Sequence, residues 1–477
     1  MLDKRKFYID GAWVDPIAPN DLDVINPATE QPVAVISMGS AADIDRAVAA
    51  AKKAFQSYSR TSLDERIALL EKLLAIYTRR YDEMARTITL ELGAPITMST
   101  EQQAHVGIGH LEGFIDGLKR LKTREELPNG DLVLREPVGV CGLITPWNWP
   151  INQIALKVVP ALATGSTCVL KPSEFTPLNA ILYAEMVHEA GFPAGTFNLV
   201  NGDGLNVGAA LSKHRDVDMM SFTGSTRAGT AVSRDAAETV KRVTLELGGK
   251  SPNIVFEDAD LEERVTGSVL ECFNNSGQSC DAPTRLLVQR SVYDKAVDIA
   301  KRAGSAVSVG NPEEEGAHIG PLVSDIQYGR VQALITASIA EGAELLVGGA
   351  GRPEGFETGY YVKPTIFAGV NNGMRIAREE VFGPVLAIIA FDTEEEAIEI
   401  ANDTAYGLAA YVQTGDAARA ERVAGRLRAG MVHINGAPHR YGSPFGGYKQ
   451  SGNGREGGIF GLEDFLEIKT VHRPDAN

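Results

Sequence analysis

Three segments of this sequence carry side chains suited to act on a carbonyl group. Phe273-Asn-Asn-Ser-Gly-Gln-Ser-Cys280 is a polar, glycine-containing loop that presents one thiol, and a thiolate attacks carbonyl carbon readily. Leu245-Glu-Leu-Gly-Gly-Lys-Ser-Pro252 sets Glu246 inside an apolar strand end. Desolvation there raises a carboxyl pKa, as a water-activating base requires. Thr145-Pro-Trp-Asn-Trp-Pro150 is a turn with two Trp and two Pro, rigid enough to hold the Asn148 amide as a fixed donor. Each residue also has a plainer reading. Asn148 could cap a turn, Glu246 could pair with Lys250, and Cys280 could be an inert buried thiol. The three occurring together, beside candidate nucleotide loops, favours chemistry.

Those loops differ in quality. Gly452-Asn-Gly454-Arg-Glu-Gly457 matches the spacing of a dinucleotide fingerprint, but no strand precedes it and no βαβ unit surrounds it, so it is rejected. Gly202-Asp-Gly204-Leu-Asn-Val-Gly208 is one residue out of register. Phe222-Thr-Gly-Ser-Thr-Arg-Ala-Gly229 follows a strand and opens a helix, so backbone N–H groups and the helix dipole suit an anion there. Gly224 permits close approach and Ser225 offers a hydroxyl. Lys171-Pro-Ser-Glu174 follows another strand, at the edge where open α/β sheets gather ligands. Its Lys and Glu suit ribose hydroxyls, or are simply solvated loop charges.

The elements that must position these residues are legible in outline. Ser40-Ala-Ala-Asp43 and Ser62-Leu-Asp-Glu65 read as capping boxes. The second opens a long amphipathic helix expected to end near Gly93, with Pro95 beyond, and a further helix runs to about Leu121. Residues 122–137 are charged and contain a Pro-Asn-Gly turn, which suggests a hairpin leaving the body. From Val138, short apolar runs alternate with helical windows. Strands are expected at Val138–Thr145, Thr167–Leu170, Thr196–Val200, Met219–Thr223 and Val243–Leu247, and helices at Leu178–Ala190 and Ala228–Glu238. That alternation implies a parallel sheet covered by helices. A second α/β series runs from about Asn253 to Tyr411, before a mixed strand-like tail.

At 477 residues the chain exceeds one hydrophobic core, so two or more domains are expected. Its 44% hydrophobic and 23% charged composition is that of a globular protein. The net charge of −16 is spread along the chain, which argues against nucleic acid or an anionic membrane as partner. No apolar stretch follows the basic N-terminal residues, and no run approaches the ~18 apolar residues of a spanning helix, so a cytoplasmic protein is expected. Four cysteines in so long a chain suggest no disulfide framework. Neither Cys-x-x-Cys nor His-x-x-x-His spacing occurs, so no metal is expected.

Taken in order, PWNWP, KPSE, FTGSTRAG, LELGGKSP, NSGQSC, EEVFGPV and SPFGGYKQSG make the chain resemble the aldehyde dehydrogenase superfamily over essentially its whole length. The resemblance implies a Rossmann-like parallel-sheet cofactor domain (residues 1–118 and 138–247), an α/β catalytic domain (248–462) and a small β oligomerisation arm (119–137 and 463–477). It implies Cys280 as nucleophile and Glu246 as general base. Asn148 and the Cys280 backbone N–H would form the oxyanion hole, and Lys157 with Glu467 a proton-relay pair near Glu246. Glu380 and Phe382 would hold the nicotinamide half of the cofactor, and Lys171 and Glu174 the adenosine ribose. Gly224 and Ser225 would take the pyrophosphate, with Ile144, Thr145, Trp147 and Gly204 making further cofactor contacts. A homodimer or homotetramer acting on a small-molecule aldehyde follows. Glu174 favours NAD over NADP, since a carboxylate repels a 2′-phosphate.

Two positions depart from the family pattern or bear on substrate. Asp281 follows the nucleophile where neutral residues are usual, and it would raise the thiol pKa, meet a polar substrate group, or point away from the site. Arg440, in Ala437-Pro-His-Arg-Tyr-Gly442, would border the substrate mouth and could bind the carboxylate of a semialdehyde acid, or be an exposed loop arginine. Aromatic and aliphatic aldehydes stay open as alternatives. A coenzyme-A-acylating enzyme needs no Glu246. A catalytically idle structural protein on the same fold needs none of the three central residues.

Overall fold

Local capping chemistry starts the first helices where the sequence expects. Ser40 and Ser62 cap the Ala41–Tyr58 and Leu63–Arg79 helices with both arms of a capping box. In the first box the shorter Asp43 does the work of the usual Glu, accepting from the Ser40 N–H at 2.9 Å. The long helix expected up to Gly93 is divided at Arg80 into Leu63–Arg79 and Tyr81–Leu92. No Pro or Gly stands there. Tertiary pairing accompanies the break, since the Arg80 guanidinium binds Glu83 and also Glu185 on the Leu178–Ala190 helix.

The structure, a computed structural model, describes residues 1–474. Its first sheet has eight strands in the order Gly452–Asn453, Arg242–Glu246, Met219–Thr223, Val140–Ile144, Thr167–Lys171, Phe197–Leu199, Phe7–Ile9 and Ala12–Val14. The five from Arg242–Glu246 to Phe197–Leu199 are parallel, and the outer ones are antiparallel. In register, Lys171 pairs Ile144, Ile144 pairs Phe222, and Thr223 pairs Glu246. The carboxyl ends of four strands therefore form one edge, where a ligand of an open α/β sheet lies. The Pro150–Thr164 helix is buried on every side except at Asn152, which explains its run of Ile, Leu, Val and Ala.

The second sheet has seven strands, Glu344–Val347, Thr365–Ala368, Val385–Phe391, Arg285–Gln289, Pro252–Val255, Ala409–Gln413 and Met431–Ile434, all parallel except the first. The expected hairpin forms from Arg124–Glu126 and Leu132–Pro137 and is joined by Leu466–Val471. A further small sheet unites Leu2–Asp3, Gln31–Ser37 and Asp21–Asn26. One boundary is corrected. The chain returns to the first sheet before residue 462: Gly452–Asn453 pairs with the strand carrying Glu246, and the Gly458–Asp464 helix packs on His105–Arg120. No long apolar period marks that return, because two residues suffice to pair an edge. Among the described residues no helix is long and apolar enough to cross a membrane.

Candidate active site

A cavity of about 480 Å³ opens between the two sheets. It is lined from one side by Trp147, Asn148, Gly224, Ser225 and Glu246, and from the other by Cys280, Glu380 and Phe382. Residues scattered over more than 230 positions of sequence thus meet in one space.

The Asn148 turn is locked from outside. Its backbone carbonyl accepts from Gln103 at 3.1 Å and Asn275 at 2.8 Å, and its side-chain amide donates to the Gln278 carbonyl at 2.9 Å. The Trp149 indole donates to Ser279 at 2.8 Å. The turn and the nucleophile loop are therefore one hydrogen-bonded unit. Gln103, Asn275 and Gln278 carry it, and none stands out in the sequence.

Cys280 follows two residues, Asn275 and Ser276, held in the left-handed region. The adjacent glycine pair explains how the loop fits. A Cβ on Gly249 would lie 2.2 Å from the Cys280 carbonyl oxygen, and one on Gly248 would lie 2.3 Å from Glu380. Glu380 in turn accepts from the Gly249 N–H at 2.9 Å. Burial first, then the charges of Asp281, Glu380 and Glu246, push the Cys280 thiol well above its ordinary range.

Glu246 is 4% exposed, and neither carboxylate oxygen has a hydrogen-bond partner. Burial, reinforced by the charge of Glu456, holds its pKa far above the usual carboxyl value. It does not pair with Lys250, whose buried ammonium has no partner and is pushed down to about 7 by burial and by Arg285. Gly446, at φ 150°, passes so close that a Cβ would sit 2.6 Å from Glu246 Oε1.

The expected partnership of Lys157 with Glu467 is corrected. Glu467 stands on an exposed strand and pairs with Arg242 at 2.9 Å. The buried Lys157 ammonium instead meets Glu456 at 2.5 Å and Ser221 at 3.2 Å. Glu456 gives the buried Lys157 a buried counter-charge, which the exposed Glu467 does not. Glu456 lies inside the rejected Gly452–Gly457 run, which was weighed only for its glycines. Its charge next to a glycine-rich turn was the signal available.

At the opposite end, Ser225 caps the Thr226–Ala237 helix, and Thr223 keeps a buried hydroxyl without a partner. Phe382, at φ 57°, meets the Trp147 ring edge-on at 5.3 Å and is steadied by Gln327, which donates to its carbonyl at 2.8 Å. Lys171 and Glu174 pair at 3.2 Å just beyond the same sheet edge. Ile144 and Thr145 are buried behind it, and Gly204 begins an exposed turn of π-helix, Gly204–Gly208. None of these five lines the cavity itself. Asp281 faces a second chamber, and the exposed Arg440 lines neither space.

A sequence model described as the aldehyde dehydrogenase family matches residues 13–471. This chain belongs to the aldehyde dehydrogenase family. It is 54% identical over 472 residues to a 3-succinoylsemialdehyde-pyridine dehydrogenase from a Pseudomonas species, covering 99% of each chain. Among solved structures, an aldehyde dehydrogenase from Bartonella henselae superposes with a TM-score of 0.98 at 52% identity, over 99% of both chains. Aldehyde dehydrogenase C from Pseudomonas syringae, a cysteine-to-alanine mutant complexed with NAD+ and octanal, gives 0.97 at 50% identity, over 98% of this chain and 96% of that one. The mixed α/β architecture with two parallel-sheet bodies is that of the family.

Proposed function

We propose that this enzyme oxidises an aldehyde to a carboxylic acid with NAD, through a covalent adduct on Cys280 hydrolysed by water that Glu246 activates. The observation that carries the reading is the convergence of Cys280, Glu246 and Asn148 on one cavity large enough for a nicotinamide and an aldehyde. The cavity suits NAD in its residues. A helix start with Gly224 and Ser225 faces an anion, an unpartnered Thr223 hydroxyl lies beside it, and Glu380, Phe382 and Trp147 frame the end nearest Cys280. Lys171 and Glu174 would hold the ribose, with Glu174 disfavouring a 2′-phosphate.

Cys280, as its thiolate, bonds through sulfur to the aldehyde carbon, and the carbonyl oxygen becomes an oxyanion. The second N–H of the Asn148 amide and the Cys280 backbone N–H stabilise that charge. NAD, when bound, supplies the hydride acceptor that turns this adduct into a thioester. Glu246 then takes a proton from water, whose oxygen bonds to the acyl carbon while the C–S bond breaks. The acid leaves and the thiolate is restored. Lys157 and Glu456, charge-coupled to Glu246, are suited to pass its proton on. The octanal bound by the Pseudomonas syringae relative and the semialdehyde named for the Pseudomonas one favour a substrate with an extended tail.

The test is NADH formation at 340 nm with a panel of aldehydes. Wild type should turn over, Cys280→Ala should be inactive, and Glu246→Gln should release at most one equivalent of NADH. Turnover by Cys280→Ala would overturn the reading.

A further inference from the structure

On the far side of the Cys280–Asp281 peptide lies a second chamber of about 420 Å³, which shares no lining residue with the first. It is enclosed by the Leu261–Phe273 helix, the loop after Cys280, the end of the Ala409–Gln413 strand and the loop after Met431–Ile434. Its wall carries the carboxyl groups of Asp281 and Glu271, the imidazoles of His433 and His439, and the Arg264 guanidinium.

Most of the donors in its wall are spent on the wall itself. Arg264 donates to the Asn435 carbonyl at 2.7 Å and pairs with Glu263 at 3.0 Å. The Tyr411 hydroxyl donates to the backbone carbonyl of Asp281 at 3.1 Å. His433 Nδ1 lies 2.8 Å from the Ala437 carbonyl. Since a carbonyl only accepts, Nδ1 donates to it, which leaves Nε2. That Nε2 is buried and has no partner.

The remaining amides form a chain whose direction is forced. Ser268 donates to the Arg264 carbonyl at 2.6 Å, so its oxygen accepts from Asn253 Nδ2 at 2.6 Å. Asn253 Oδ1 then accepts from Gln413 Nε2 at 3.0 Å. The carbonyl at the end of this chain fixes the orientation of both amides. Gln413, only 3% exposed, is left with Oε1 as an unpartnered acceptor. The carboxylates of Asp281 and Glu271 face the same space, and among the described residues neither forms an ion pair with a cationic side chain.

The unpartnered Gln413 oxygen and the carboxyl groups of Asp281 and Glu271, none of them in an ion pair, suit a group that donates and carries positive charge. Ammonium and guanidinium are the common groups of that kind. Asp281 is the residue next to the nucleophile, and Tyr411 packs in the same small cluster as Cys280, so the chamber adjoins the reacting carbon on the side away from the cofactor cavity. We propose that this chamber binds the tail of the substrate, and that the tail is a nitrogen cation, making the substrate an aminoaldehyde or guanidinoaldehyde. The proposal rests on the reading above, because only a Cys280-bound aldehyde would extend its tail into this chamber. A carboxylate tail would meet Asp281 and Glu271, and Arg264, the one guanidinium in the wall, is already engaged by Glu263 and the Asn435 carbonyl.

The experiment compares kcat/KM for 3-aminopropanal and 4-guanidinobutanal with those for the uncharged butanal and hexanal, and for 3-carboxypropanal. At least one cationic aldehyde should exceed its uncharged counterpart about tenfold or more, and 3-carboxypropanal should be the poorest. In Asp281→Asn and, separately, Gln413→Leu, that cation-to-neutral ratio should fall toward one. The ratio cancels any change in Cys280 reactivity, since both aldehydes use the same thiol. Equal or lower kcat/KM for both cationic aldehydes, or an unchanged ratio in both variants, would overturn the tail assignment. Failure of wild type to oxidise any of these aldehydes would instead overturn the function itself.

Discussion

Glu246 is buried with both oxygens free of hydrogen-bond partners, so it is not held in a structural ion pair. Its raised pKa and that of Cys280 both place the reactive form on the alkaline side. In the proposed mechanism the protonated form of each group is inactive, and the folded site favours it, so kcat/KM should rise with pH above neutrality. A pH–rate profile from 6 to 10 checks this. The charge of Asp281 is among the causes of the raised thiol pKa. Asp281→Asn should therefore move the pH dependence of Cys280 alkylation by iodoacetamide to lower pH. The corrected relay partner is separable by kinetics. Glu456→Gln leaves Lys157 buried without a counter-charge and should cut kcat about 100-fold. Glu467→Gln removes only an exposed pair and should change kcat less than twofold, on the order of the 0–1 kcal/mol such pairs contribute.

At the scale of elements, the nucleophile's position depends on backbone approach. The Gly248-Gly249 corner lets the Cys280 loop and Glu380 close in from two sides. Gly249→Ala should displace the loop and lower kcat about 100-fold while leaving the protein folded, as judged by circular dichroism, because catalysis tolerates less than about 1 Å of misplacement. The helices behind the site have their own fastening. Glu91, buried at the end of the Tyr81–Leu92 helix, accepts from the Leu178 and Asn179 N–H groups and the Asn179 amide at 2.6–2.8 Å. It thereby closes the open N-terminus of the Leu178–Ala190 helix. Glu91→Ala should cost about 2–4 kcal/mol, read as a lower urea midpoint, whereas Glu91→Gln keeps one acceptor and should cost less.

For the whole molecule, the two sheets meet over the cavity, and a ligand seated there touches both. NAD at about 100-fold over its Kd should stabilise the protein by about 2.7 kcal/mol, seen as a raised thermal midpoint. NADP at the same concentration should raise it less, because Glu174 would stand beside the ribose in the proposed binding mode. The bodies themselves were readable in advance. Alternating apolar runs and helical windows identify strands such as Met219–Thr223 and the Leu178–Ala190 helix with matching bounds. The expected single helix to Gly93 and the boundary at 462 were misread because an ion pair across helices and a two-residue edge strand leave no local period.

The sequence by itself determined the kinds of element and the chemistry available. Period and capping are local properties, and a thiol, a carboxyl in an apolar strand and an amide in a rigid turn keep their character wherever they are placed. Only the tertiary structure decided partnership. Lys157 is held by Glu456, 299 residues away, and not by Glu467, and Asp281 faces a different chamber from Cys280. The reason is physical. Burial, counter-charge and the use of each hydrogen-bond donor depend on groups distant in the chain, and no local pattern encodes which of them will meet.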